Sequence, residues 1–204
     1  TTYEIRYPVV CPETFKLELK GNDEMVEDWR TLADGGHAWG SRDAKVVIVS
    51  FFDFECGACR RFALGAERTV KGLFGDRISV VVRHLPLSYH RLAFPAAKAS
   101  ECAADQGRFE EIYELLFRKQ DSLGIKSLTS FAREGGVRDL QAFESCMSSP
   151  HVEDRISFDK EAAKLAGARA TPTVIINGLR LAQSPTIEEL VSIVRNSLAQ
   201  PERP

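Results

Sequence analysis

The chain has 204 residues, 44% of them hydrophobic, and a formal net charge of -2 from 27 basic and 29 acidic side chains. That is apolar material for one large globular domain or two small ones, and the charges are too well mixed to offer nucleic acid a basic field. No run of about 18 apolar residues is present to span a membrane, and five cysteines are too few for a disulfide-built miniprotein.

The first 40 residues read as an extension. Their opening, TTYEIRYPVVCPETFKLELK, mixes charge throughout and lacks a signal-peptide pattern, and they end in the glycine-rich ADGGHAWGS. Trp29 and Trp39, in or beside that break, are expected to pack the extension against a sheet. KVVIVSFF, Lys45 to Phe52, is a β-branched and aromatic run, too short for a helix and apolar on both faces. It predicts a central strand covered by helices on either side. Two cysteines follow at once in FECGACR, and then Phe62, Leu64, Val70, Leu73 and Phe74 recur near helical spacing up to Gly75. RISVVVRHL, Arg77 to Leu85, predicts a second buried strand, so the unit is βαβ with Cys56 and Cys59 at its first strand-to-helix turn.

From Leu92 to Leu165 the patterns are helical only, each segment ending near Gly, Ser or Pro. Tyr113, Phe117, Phe131 and Phe143 recur at helical spacings there and read as core. TPTVIING and LRLAQ then predict two short strands joined through Asn177-Gly178, and SPTIEELVSIVRNSLAQ a closing amphipathic helix capped by Ser184 or Thr186. The expected division is an extension over 1–40, an α/β domain over 41–91 and 168–200, and a helical insertion over 92–167.

A Cys-x-x-Cys pair at a helix start has a physical reason to react. Unpaired N–H groups and the helix dipole favour an anion at Cys56, lowering its pKa from about 8.5 and making it the nucleophile. Cys59, one turn later and turned inward, suits the resolving thiol. Gly57 and Ala58 lie between them in the active-site loop; Arg60 and Arg61 would add positive potential, which Asp53 and Glu55 oppose. Two other readings stand beside this one. A zinc site would need two more ligands from Cys102, Cys146, His84 or His90, without a second closely spaced pair. A short structural disulfide between Cys56 and Cys59 would constrain little. His84 and His90, flanking LPLSY, read as surface or satisfied loop histidines. No metal and no organic cofactor are expected: sulfur carries the electrons, and GARAT lacks the spacing of a phosphate-binding loop.

VSFFDFECGACRRF, the helical insertion and GARATPTVIING together resemble the DsbA-like thiol oxidoreductases over about residues 40–200. The resemblance implies a thioredoxin-like α/β fold with an inserted all-helical subdomain. It also implies a cis-proline at Pro172, with Thr171 before it, facing the active cysteines and presenting backbone to a bound peptide. Some members carry a structural disulfide where Cys102 and Cys146 stand; it would close a loop of about 45 residues, worth about 4 kcal/mol in the chain-entropy model, the alternative being two buried free thiols. Cys11 is left over, either inert or able to link two chains. By resemblance the substrates are unfolded or partly folded cysteine-containing proteins. A membrane quinone-linked protein reoxidises the pair, and the setting is the periplasm or another extracytoplasmic space of a bacterium. The expected activity is introduction of disulfides, with a reductase or isomerase, or a non-catalytic peptide- or metal-binding module, as alternatives. Two features depart from the family. Strongly oxidising members commonly place a His between the cysteines, where this chain has Gly57-Ala58; and Ser50 stands six residues before Cys56 where many members have an acid. Water or Asp53 would then have to take the Cys59 proton.

Overall fold

The computed structural model describes residues 23–199; Cys11 lies outside them. The described lead-in forms β1 (Glu24–Met25), the short helix α1 (Thr31–Asp34) and β2 (His37–Trp39). The central strand β3 (Val46–Phe52) leads through the cysteine loop into α2 (Gly57–Phe62), a π-helical turn at Ala63–Glu67 and α3 (Arg68–Phe74), followed by β4 (Ile78–His84). Five helices come next: α4 (Ala93–Ala104), α5 (Phe109–Arg118), α6 (Leu128–Glu134), α7 (Leu140–Met147) and α8 (Pro150–Leu165). The chain returns through β5 (Thr173–Ile176) and β6 (Leu179–Arg180) and closes with α9 (Ile187–Ala199).

One six-stranded sheet runs β1-β6-β5-β3-β4-β2. β3 and β4 are parallel, as a βαβ unit requires, and the other pairings are antiparallel. The lead-in supplies both edge strands, β1 on β6 and β2 on β4. Strands of two and three residues are too short to leave an alternation in sequence, which is why these segments read as an extension.

Every residue of β3 is buried, because helices cover both faces. Val46, Ile48 and Phe52 face the cluster built on α3, α9 and the helical insertion, while Val47, Val49 and Phe51 face α1 and α8. By the same alternation Ser50, also buried, faces the side of α2. Trp39 packs on the first cluster and Trp29 on the second, and Tyr113, Phe117, Phe131 and Phe143 are core. The second face also holds a buried ion pair: Arg83 Nε donates to Asp159 Oδ1 at 2.8 Å and Arg83 Nη1 to the Leu32 carbonyl at 2.7 Å. A buried charge survives in a strand only when paired in this way.

The β5–β6 hairpin turns at Asn177 and Gly178, both with positive φ, 47° and 91°, the backbone a tight type I′ turn needs. The Asn177 side chain accepts from the Val47 amide and donates to the Lys45 carbonyl, tying the hairpin to β3. At the entrance to α9, Thr186 Oγ1 accepts from the Glu189 amide and Glu189 Oε2 accepts from the Thr186 amide, a reciprocal capping box. A disulfide joins Cys102 of α4 to Cys146 of α7 across 44 residues.

Candidate active site

Cys56 and Cys59 are both free thiols at the C-terminal end of β3, where the chain enters α2. Asp53 builds the loop that presents them. Its carboxylate accepts from the amides of Glu55 at 2.7 Å and Leu87 at 2.8 Å, and His90 Nδ1 lies 2.8 Å away. Glu55 accepts from the Leu92 amide at 2.7 Å, joining the loop to the start of α4. Gln120, from the helical insertion, donates to the carbonyls of Phe54 at 2.7 Å and Cys56 at 3.1 Å. The sequence pattern gives no sign of Gln120, which acts on backbone from a distant loop.

Cys56 occupies the N-cap position of α2 with an extended backbone and a half-buried side chain, Gly57 is exposed, and Cys59 is buried one turn on. This geometry separates the two thiols chemically. Cys56 is lowered from 9.0 to about 5, first by a hydrogen bond from the Cys59 thiol, with further help from the nearby Thr171 side chain and the backbone amides of Cys59 and Ala58, against the opposing effect of burial. Burial, and then the neighbouring Cys56, push Cys59 well above 9.0. Cys56 is therefore the thiolate and Cys59 the thiol at neutral pH. The leading causes are hydrogen bonds at the helix start rather than a cation: Arg60 is turned to Asp121 at 2.9 Å and to the Arg118 carbonyl.

The Thr171–Pro172 peptide bond is cis, and the Thr171 carbonyl lies 3.2 Å from Cys56 Sγ. Thr171 and Pro172, 115 residues away from Cys56 in sequence for the first of them, thus meet the nucleophile. An open cavity of about 680 Å³ adjoins Pro172 and runs toward the β6 edge, lined by Arg169, Ala170, Thr173, Arg180 and Leu181 among others.

One expectation needs correction, and two alternatives find their residues otherwise engaged. The carboxylate of Asp53, named beside water as an acceptor of the Cys59 proton, is engaged by two amides and lies beside His90. His84 is neither exposed nor in a loop: it is the last residue of β4, 1% exposed, with Nε2 2.9 Å from Glu101 Oε1. The strand predicted over Arg77 to Leu85 does reach His84, and alternation turns its ring toward Glu101 of α4. Zinc ligation by Cys56 and Cys59 also lacks its partners: Cys102 and Cys146 are bridged, and among the described residues no His, Cys, Asp or Glu gathers with the thiol pair into a set of three.

A different buried acid lies elsewhere in the core. Glu67, at the end of the π-helical turn, is buried and accepts from the Tyr113 hydroxyl at 3.1 Å. Burial pushes its carboxyl up to about 7, opposed by Lys71 and by Tyr113. An acid whose folded pKa exceeds its unfolded value of 4.5 holds extra protons between those limits, so its stabilising effect is lost as pH rises from about 4.5 through about 7. Glu67→Gln is expected to remove a decline on the order of 3 kcal/mol across that window, read from urea midpoints at each pH. An unchanged decline in the variant counts against this assignment.

The family model Thioredoxin_4, described as Thioredoxin, matches residues 32–196. A Na(+)/H(+) antiporter NhaA of Herminiimonas arsenicoxydans is 36% identical over 161 residues, covering 79% of this chain and 25% of the antiporter. The chain spans about a quarter of the length of the curated relatives it matches. Among solved structures, a thioredoxin-like oxidoreductase from Silicibacter pomeroyi superposes with a TM-score of 0.69 at 22% identity, over 84% of this chain and 97% of that one. Wolbachia pipientis alpha-DsbA1 superposes with a TM-score of 0.69 at 20% identity, over 81% and 92%. A parallel β3–β4 pair, a thiol pair at the first helix start and a cis-proline opposite it accord with these matches: the chain belongs to the thioredoxin family and has the fold of its DsbA-like members.

Proposed function

We propose that this chain is a thiol:disulfide oxidoreductase that passes the Cys56–Cys59 disulfide to cysteines of unfolded or partly folded proteins outside the cytoplasm. The observation that carries the reading is the division of labour between the thiols, Cys56 half-exposed and lowered to about 5, Cys59 buried and raised. A thiolate stabilised only in the reduced form makes reduction of the pair favourable, and a pair that is readily reduced is a disulfide donor. Hydrogen bonds from the Cys59 thiol and from the amides of the helix start thus take over what a His between the cysteines would supply.

In the cycle, a substrate thiolate attacks Sγ of Cys56 in the oxidised pair. The Cys56–Cys59 bond breaks, and its electron pair goes to Cys59, which takes up a proton because its pKa is high. Thr171 and Pro172 hold the substrate chain beside the mixed disulfide. The second substrate thiolate then attacks the substrate sulfur and Cys56 leaves as thiolate. Two electrons pass to the pair, and the substrate gains a disulfide. Proton removal from Cys59 matters only on the way back, when a membrane quinone-linked partner reoxidises the pair. With serine at position 50 and Asp53 engaged, water takes that proton. The Cys102–Cys146 bridge supports an oxidising compartment, where such bonds persist.

The test is transfer. Oxidised protein mixed with an equal amount of a reduced, unfolded dithiol protein is expected to hand over one disulfide per chain, counted by mass spectrometry after alkylation. Transfer no faster than air oxidation contradicts the proposal. A second reading, a redox module within a longer membrane protein, is favoured by the match to antiporters over about a quarter of their length. Sedimentation of the native full-length protein with membranes would support it.

A further inference from the structure

We infer that His37, His84 and Glu101 form a binding site for one divalent transition-metal ion, with zinc the fitting probe. Their ligand atoms all lie within 4.8 Å of one another. Nε2 of His37 is 2.6 Å and Nε2 of His84 2.9 Å from the same carboxylate oxygen, Oε1 of Glu101. The three residues come from three separate elements, β2, the end of β4 and α4, so packing of the fold holds them together.

Two imidazoles and one carboxylate suit a borderline ion, whereas calcium or magnesium would need more oxygens. A tetrahedral ion with bonds of about 2.0–2.1 Å keeps its ligands roughly 3.3 Å apart. The present spacings of 2.6 and 2.9 Å therefore have to open by about 0.7 and about 0.4 Å. Arg155 stabilises the arrangement from behind: its Nη1 lies 3.3 Å from the other oxygen of Glu101, and its guanidinium is held by Asp105 at 2.8 and 3.1 Å. That contact turns Oε1 toward the imidazoles.

Access exists on one side. A cavity of about 600 Å³ reaches the cluster at His37 and is lined also by Trp39, Asp105, Phe109, Glu110 and Arg155. It gives an ion a path from solvent and leaves room for water at a fourth coordination position. His84 and Glu101 are buried deeper, with side chains 1% and 5% exposed, so a bound ion is anchored at the sheet rather than at the surface. There it would fasten β2 and α4 to β4, beside the rings of Phe52 and Phe54, 4.9 and 6.0 Å from His84, which lead into the cysteine loop. The role is structural, and no electron passes through the ion.

The experiment uses metal-free protein with Cys56 and Cys59 oxidised to their disulfide, so that the thiols cannot bind. Titration with zinc at neutral pH is expected to give one ion per chain and a melting temperature that rises with zinc. His37→Ala, the more accessible ligand, is expected to weaken binding by about tenfold or more while keeping disulfide exchange, which shows that it folds. Cobalt(II) provides a second readout in the unmodified protein: absorption bands of a four-coordinate site that His37→Ala loses. Absence of zinc uptake by the unmodified protein overturns the inference, as does equal affinity in a folded His37→Ala variant.

Discussion

Cys56→Ser is expected to abolish disulfide exchange, and Cys59→Ser to capture disulfide-containing substrate as a stable adduct. With Cys56 lowered to about 5, roughly 99% of it is thiolate at pH 7, against about 1% for a thiol at 9.0. Serine at that position has no comparable nucleophile, so the rate falls to background. In the Cys59→Ser variant the Cys56 thiolate still attacks, but the turn holds no second sulfur to release the adduct, which accumulates on a non-reducing gel. Cys59→Ala adds a finer discrimination. The Cys59 thiol is the leading cause of the lowered Cys56 pKa, so alanine is expected to move the half-point of Cys56 alkylation upward from about 5. An alkylation profile unchanged in Cys59→Ala would mean that the helix start alone sets the acidity.

Replacing both Cys102 and Cys146 by alanine is expected to cost about 4 kcal/mol of folding stability in the chain-entropy model, with exchange activity retained. The bridge spans 44 residues, from α4 to α7, and so restrains a long piece of the unfolded chain. Cys102 is buried in the main core, where its loss also leaves a small void. The urea midpoint should fall accordingly. A loss below about 1 kcal/mol would mean that packing among α4, α6, α7 and α8 already holds the insertion together.

Much of this architecture is legible in sequence for identifiable reasons. KVVIVSFF can only be a buried strand, Asn177-Gly178 only a tight hairpin turn, and a Cys-x-x-Cys just after such a strand marks the first helix start. What escapes detection depends on long-range geometry. Glu67 shares a helix face with Ala63, Val70 and Phe74, yet an acid at such a position reads as solvated until its partner Tyr113, 46 residues away, is placed beside it. His37, His84 and Glu101 are scattered across 64 residues and converge only because β2 pairs with β4. Gln120 and Asp53 act on backbone groups, which no side-chain pattern reveals.

The central claim is that hydrogen bonds to the Cys56 thiolate make this pair an oxidant without a His between the cysteines. Its most direct test is the equilibrium oxidation state of Cys56 and Cys59 across a series of glutathione redox buffers. A potential near roughly -120 to -180 mV is the expected result, that of a disulfide donor; one near about -250 mV or below would contradict it and make the pair a reductant.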